Sequence, residues 1–183
     1  MKKTILELDL VGYSDKAREL QEHLGVDLVM RFNDQIQEFV DQGLSAAGLH
    51  RDKVIVQSTG DGAIVVLDEA EQSHVFAEAI NTACRERNAA KSVPSARRWF
   101  RIAAASGEVE IRGLDLAGTV IANAVRLESA GEAGHFLIDV ATWAQLPRRF
   151  VGAVGTTAPA TCGRLTAAGA PRATGAATWA SAA

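Results

Sequence analysis

The sequence predicts a single α/β domain, a ferredoxin-like mixed sheet with packed helices. Its 183 residues are 48% hydrophobic and 22% charged, the composition of a soluble globular domain long enough to bury a full core. Apolar residues alternate between strand spacing and helix spacing up to about residue 150, and glycines and prolines separate the segments. The resulting order is β-α-α-β-β-α-β-α-β.

The first elements are a strand and a long helical region. Residues 4–11, TILELDLV, alternate apolar and polar residues before becoming fully apolar, which predicts a strand that is half exposed and then buried. Helical spacing of apolar residues continues from about 16 to 49. The expected N-cap and breaks of these helices are Ser14 or Asp15, Gly25 and Gly43.

A hairpin opens the second half of the domain, where two β-branched runs flank Gly-Asp-Gly. The elements expected from there are a hairpin at 53–67, a helix opened by Asp68 or Ser73, a loop at 91–98, a strand at 98–111, a helix at 118–134, a strand at 135–140 and a short helix that Pro147 stops.

Charge and cysteine content exclude several classes of protein. A net charge of −3 gives no basic field for nucleic acid, and no apolar run approaches the ~20 residues that cross a bilayer. Glu7 and Asp9 interrupt the apolar N-terminal stretch, so it is not a signal peptide. Cys84 and Cys162 have neither metal-site nor disulfide-framework spacing. We therefore expect a cytoplasmic protein without a nucleic acid or membrane partner.

Residues 151–183 have a different composition. Acidic residues disappear, Ala, Gly, Thr, Pro and Arg dominate, and no apolar period remains. A natural flexible tail and the product of a shifted reading frame both fit this composition. We expect a domain at 1–150 and a poorly ordered tail at 151–183.

Two carboxylates are expected to meet at one edge of the sheet. Asp9 ends the first strand and Asp61 lies at the hairpin tip. Asp61 could simply be a turn residue, and Asp9 could be a solvated strand end. Two neighbouring carboxylates repel each other, however, and a hard cation with substrate phosphates relieves that repulsion. Gly12 and the following helix start would let a phosphate approach backbone N–H groups.

Four segments, in this order, resemble the catalytic domains of class III adenylate/guanylate cyclases of bacterial type. The similarity spans about residues 4–146. The segments are LDLVGYS, which matches the family's D-[IL]-x-G-[FY]-[ST]; STGDGAIVV, with the second metal motif; RIAAASGEVE, the strand ending in Gly-Glu-Val; and DLAGTVIANAVRLESAGEAGHFLIDVATW, with the helix that carries the catalytic arginine.

The resemblance implies a two-metal nucleotide cyclase. Asp9, Asp61 and the backbone carbonyl of Leu10 would hold two Mg²⁺ or Mn²⁺ ions. The ribose 3′-oxygen of a nucleoside triphosphate would then attack the α-phosphorus and release pyrophosphate. The other product, a 3′,5′-cyclic nucleotide, would act in signalling. Arg126 matches the transition-state arginine, although a solvated helix residue is the alternative. The implied triphosphate ligands are Gly12, Tyr13, Ser14 and Arg112.

Base choice and one catalytic position depart from the family pattern. Gln57 stands at the family's base-selecting position, where a lysine accompanies adenine and a glutamate accompanies guanine. Asp115 matches the partner position of adenylate cyclases. Glutamine both donates and accepts, so the base stays open. Ala122 replaces the family's asparagine, and the nearest candidate is Asn123, one helical step away.

The late strand is the third departure, because residues beyond 150 include no lysine for the family's phosphate contact. Arg164 and Arg172 are the available substitutes. Two interpretations fit these departures. One is an active cyclase with altered base choice, including a pyrimidine cyclase that makes cyclic CMP or cyclic UMP. The other is a degenerate nucleotide-binding or dimerising domain. A receiver-type phospho-acceptor would need an acidic pair after the first strand and a lysine after a late strand, and this sequence has neither. Family sites lie between two chains, so the resemblance implies a head-to-tail homodimer.

Overall fold

The computed structural model describes residues 1–54, 56–113, 115–151 and 162–166, with only the backbone of 151 and 162–166. The strands are β1 Lys2–Leu10, β2 Val56–Ser58, β3 Gly62–Leu67, β4 Phe100–Glu108, β5 Glu110–Arg112, β6 Asp115–Ala117, β7 His135–Asp139 and β8 Cys162–Thr166. Six of them form one sheet in the order β2-β3-β1-β4-β7-β8, and β5 pairs with β6 separately. Only the β4–β7 pair of the main sheet is parallel among the described strands. The predicted mixed sheet with packed helices is confirmed.

Helices cover both faces of the sheet. They are α1 Tyr13–Leu24, α2 Val26–Ala46, α3 Ala70–Ala89, α4 Thr119–Ser129, α5 Val140–Trp143 and α6 Arg148–Val151. Leu6, Leu8 and Leu10 of β1 pack into the larger core with α2 and α3. Ile5, on the opposite face, packs with residues of α4. No helix in the described ranges has the length and apolar character needed to cross a membrane.

The two glycines expected to break the helical region behave differently. Gly25 separates α1 from α2 as predicted. The break predicted at Gly43 is wrong, because α2 continues to Ala46. A Cβ at Gly43 would lie 2.6 Å from a ring carbon of Phe76, so the glycine allows α2 to pack closely on α3.

Two predicted N-caps are also wrong. α1 begins at Tyr13 with Gly12 as its N-cap at φ 76°, so Ser14 and Asp15 lie within the first turn. α3 is capped by Glu69 in a reciprocal capping box rather than by either predicted residue. The loop before each helix sets where α1 and α3 begin, and the spacing of apolar residues in the sequence does not reveal it.

The strand predicted at 98–111 is divided in the structure. β4 ends at Glu108, and the next residues form the β5–β6 hairpin, which no pattern indicated. Within the predicted tail, Cys162–Thr166 is a strand antiparallel to β7, which was not predicted either. Residues 152–161 and 167–183, including Arg172, lie outside the described residues, so the boundary at 150 and the order of the tail stay predictions.

Candidate active site

Asp9 and Asp61 lie next to each other across the β1–β3 pair. Asp9 is opposite Gly62 in the antiparallel register, and Asp61 directly precedes Gly62. The backbone N–H of Leu10 donates to the carbonyl oxygen of Asp61 at 2.9 Å, which holds the hairpin tip against the end of β1. The charge of Asp61 raises the pKa of the Asp9 carboxyl. The structure thus brings the two predicted metal ligands together.

The glycines of the hairpin tip have two separate roles. Gly60 has φ 90°, so the left-handed turn residue is this glycine. Gly62 has no positive φ, and a Cβ there would overlap the carbonyl oxygen of Leu8 and lie 3.1 Å from Asp9 Cα. Turn chemistry alone therefore does not account for the Gly-Asp-Gly sequence, because its last glycine permits the close approach of β3 to β1.

An arginine occupies the space between Asp9 and α4. Arg101 is the cross-strand partner of Asp9 on β4, and its Nη2 donates to Oδ2 of Asp9. Its Nε lies 2.7 Å from Oε1 of Glu128, whose side chain is only 6% exposed on the buried face of α4. Burial lowers the pKa of Arg101, but its hydrogen bond to Asp9 and the charges of Asp9 and Glu128 raise that pKa overall.

The site carries more negative charge than one arginine balances. Burial, followed by the charges of Glu128, Asp9 and Asp61, raises the pKa of Glu7 from 4.5 to about 7. Burial also raises the pKa of Asp9, against the lowering effect of the Arg101 hydrogen bond, and the charge of Asp61 adds to the rise. Burial raises the pKa of Glu128, which the charge of Arg101 partly offsets. Such a cluster is suited to a divalent cation.

The predicted phosphate loop lies at the N-terminus of α1. Gly12 and Ser14 are exposed, and the first N–H groups of a helix have no acceptor within the helix. The Tyr13 hydroxyl donates to Oδ1 of Asn33 at 2.8 Å, so this side chain faces α2 and leaves only its backbone for a phosphate. A cavity of about 510 Å³ beside Gly12 is lined by Leu10, Val11, Gly12, Asp15, Lys16, Glu19, Phe32, Pro94, Ser95, Arg97, Arg98 and Trp99.

Asn123 and Arg126 lie on the exposed face of α4. Together with Leu127, Asp139 and Val140 they line a second cavity of about 490 Å³. The one-step displacement from Ala122 therefore leaves Asn123 beside Arg126. Because Glu128 of the same helix faces the sheet, α4 presents its predicted catalytic residues away from Asp9. The two cavities share no lining residue.

The two predicted base residues and the predicted triphosphate residue Arg112 are divided between the two sheets. Gln57 lies in β2 opposite Ile64, which is itself opposite Glu7, so Gln57 shares a face of the main sheet with Glu7 and hence with Asp9. Arg112 and Asp115 are opposite each other in the β5–β6 hairpin. Arg112 donates to Glu110 Oε1 through two guanidinium nitrogens, at 2.6 and 2.9 Å.

Comparisons with solved structures agree with this architecture, while no protein-family model and no curated protein matches the sequence. An adenylate/guanylate cyclase/hydrolase from Silicibacter pomeroyi is 22% identical, with TM-score 0.67 over 100% of this chain and 98% of that one. The monomeric guanylyl cyclase domain of RhoGC from Blastocladiella emersonii is 19% identical, with TM-score 0.69 over 90% of this chain and 94% of that one.

A guanylate cyclase domain from Catenaria anguillulae, solved in complex with GTP, is 17% identical, with TM-score 0.67 over 91% of this chain and 96% of that one. The chain has the class III nucleotide cyclase fold. At these identities the likeness establishes the cyclase fold alone, and it confirms the fold that the four sequence segments implied.

The carboxylates of this cyclase fold fit a divalent metal with exogenous oxygen ligands. Within the described residues no group of three or more His, Cys, Asp or Glu side chains could hold an ion by itself. Asp9 and Asp61 provide two neighbouring carboxylates, and Mg²⁺ is commonly bound through one or two carboxylates together with substrate phosphates. Burial is the main cause of the raised pKa of Glu7 and Asp9, and the neighbouring carboxylate charges add to it.

Sequence reasoning missed three residues of this site. Glu7, Arg101 and Glu128 surround Asp9, and none of them was predicted as a site residue. One signal was present, since Glu7 and Asp9 are two residues apart on an otherwise apolar strand and must share a face. Arg101 and Glu128 are far from Asp9 in sequence, so only the strand register and the orientation of α4 reveal them.

Proposed function

We propose that the chain is a nucleotide cyclase that converts a nucleoside triphosphate to a 3′,5′-cyclic nucleotide and pyrophosphate, for use in signalling. The observation that carries the proposal is the pairing of Asp9 and Asp61 across β1 and β3, beside the N-terminus of α1, in a cyclase fold. The GTP bound to the similar domain from Catenaria anguillulae supports a nucleoside triphosphate as substrate.

The carboxylates of Asp9 and Asp61, with the carbonyl of Leu10, would hold two Mg²⁺ or Mn²⁺ ions. Bound ions would acidify the ribose 3′-hydroxyl and neutralise phosphate charge. The backbone N–H groups of Gly12, Tyr13 and Ser14 would donate to the triphosphate, because a helix N-terminus favours anions. Arg112, exposed in the β5–β6 hairpin, would add a charged donor.

Arg126 would stabilise the charge that develops at the α-phosphate, with Asn123 beside it. Both face away from Asp9 in the described part of one chain, so the complete site needs residues from two chains. We therefore propose a head-to-tail homodimer, in which the metal ligands of one protomer meet Asn123 and Arg126 of the other. The identity of the base depends on Gln57 and Asp115 and stays open.

Complementation between two inactive variants tests this arrangement. Asp61→Asn and Arg126→Ala should each lose cyclase activity as homodimers. An equal mixture that exchanges subunits should recover about a quarter of wild-type activity, because half of the dimers then carry one intact site out of two. Mixing two samples of Asp61→Asn alone is the control. Activity that stays at the homodimer level in an exchanged mixture would contradict the shared site.

A nucleotide-binding or dimerising domain without turnover is the second candidate. Ala122 in place of the family's asparagine and the absence of lysine beyond residue 150 favour it. Arg164 lies in β8 opposite Leu137. A domain of this kind would bind a nucleoside triphosphate and form a dimer but release no cyclic product.

A further inference from the structure

The environment of Arg101 differs from that of an ordinary surface ion pair. Its Nη2 donates to Asp9 and its Nε lies 2.7 Å from Glu128, so one guanidinium joins β1 and α4. The side chain is 33% exposed, whereas that of Glu128 is 6% exposed. Asp61 and Glu7 act on the same region through their charges. Two carboxylates therefore contact Arg101, and two more add negative charge beside it.

Glu128 fixes the arginine in place. A buried carboxylate is costly without a partner, so Arg101 stays with Glu128 whatever happens at Asp9. The contact with Asp9 is more exposed, since 23% of the Asp9 side chain is accessible, and only one oxygen of that carboxylate is bonded to the guanidinium. The guanidinium can therefore release Asp9 without leaving Glu128 unpaired.

We propose that Arg101 is the resident counter-cation of the Asp9–Asp61 pair and sets the affinity of that pair for divalent cations. It competes with the cation for the Asp9 carboxylate and repels it, while Glu128 keeps the guanidinium in place. This inference rests on the proposed function, because it takes Asp9 and Asp61 as the metal ligands. Arg101 would affect the reaction only through Asp9.

The competing explanation makes the opposite prediction. If Arg101 only orients Asp9 for the metal, its removal should weaken metal binding. If Arg101 competes, removal takes away a unit positive charge close to the site, and Arg101→Gln should bind Mn²⁺ at least about fivefold more tightly. Glu128→Gln should have the reverse effect, about threefold or more weaker binding, because Arg101 then has only Asp9 as a partner and one negative charge is lost.

Electron paramagnetic resonance of free Mn²⁺ measures this affinity on the full chain without nucleotide and without turnover. Arg101→Lys keeps the charge and should stay within about twofold of wild type. Arg149→Gln is the matched control, because Arg149 also forms an ion pair, with Glu71, on a surface between α6 and α3. The Mn²⁺ affinity of this control should equal that of wild type.

Unchanged or weaker Mn²⁺ binding by Arg101→Gln would overturn the competition. If that variant fails to fold, the double variant Arg101→Gln/Glu128→Gln replaces it, because it leaves the net charge of the cluster unchanged and frees Asp9. Tighter Mn²⁺ binding than wild type by the double variant supports the proposal, and weaker or equal binding refutes it. The metal site is tested separately by Asp61→Asn. If that variant binds Mn²⁺ as wild type does, the proposed function loses its metal site whatever the Arg101 variants show.

Discussion

Glu7 should destabilise the metal-free protein at neutral and alkaline pH. Its pKa is about 7 in the folded protein against an ordinary value of 4.5, because burial and the charges of Glu128, Asp9 and Asp61 oppose its ionisation. Well below pH 4.5 the carboxyl is protonated in both the folded and the unfolded state and does not affect stability. As the pH rises towards 7, the unfolded state ionises first, so the free energy of unfolding falls.

The full difference in pKa corresponds to about 3 kcal/mol, and partial exposure of the side chain reduces this to about 1–2 kcal/mol. Glu7→Gln should therefore raise the free energy of unfolding by about 1–2 kcal/mol at pH 8 and by much less at pH 5. Urea denaturation with EDTA present measures both values, and the exposed Glu22→Gln is the control. A variant that is no more stable than wild type at pH 8, or equally stabilised at both pH values, would refute this account of the cluster.

Two further substitutions test the site and the packing that supports it. Arg126→Ala should lower kcat far more than KM, since the side chain is proposed to act in the transition state, and steady-state kinetics showing a change confined to KM would make it a binding residue. Gly62→Ala should cost more than about 2 kcal/mol in chemical denaturation and disrupt Mn²⁺ binding, because the new Cβ overlaps the Leu8 carbonyl. Gly48→Ala, which meets no atom within 4 Å at φ 71°, should cost only about 1 kcal/mol. Equal losses for the two glycine variants would contradict the close β1–β3 approach.

The spacing of apolar residues predicted the helices and strands that bury many apolar side chains. α2 and α3 each bury an apolar stripe, and β1 and β4 carry apolar residues on both faces, so their patterns are visible in the sequence. The β5–β6 hairpin and β8 were not predicted, because three- and five-residue strands at the margin of the domain carry too little pattern. Gly43 was taken as a break because its packing partner, Phe76, is distant in the sequence.

The candidate site divides in the same way. Asp9 and Asp61 were predicted to meet because Asp9 ends the first strand and Asp61 lies at the tip of the hairpin that the order of elements places beside it. Arg101 and Glu128 were not, since their contact with Asp9 depends on register and on which face α4 buries. The roles proposed for Gln57, Asp115 and Arg112 stay predictions, because they depend on a bound nucleotide and a second chain.

Cyclase activity itself is tested most directly by product analysis. The purified full chain is incubated with Mn²⁺ and, separately, ATP, GTP, CTP and UTP, and the products are separated and identified by mass spectrometry. We expect a 3′,5′-cyclic nucleotide and pyrophosphate from at least one triphosphate, and their loss in Asp61→Asn with the dimer intact. No cyclic product from any of the four with folded, dimeric protein, or an unchanged yield from Asp61→Asn, would contradict this expectation.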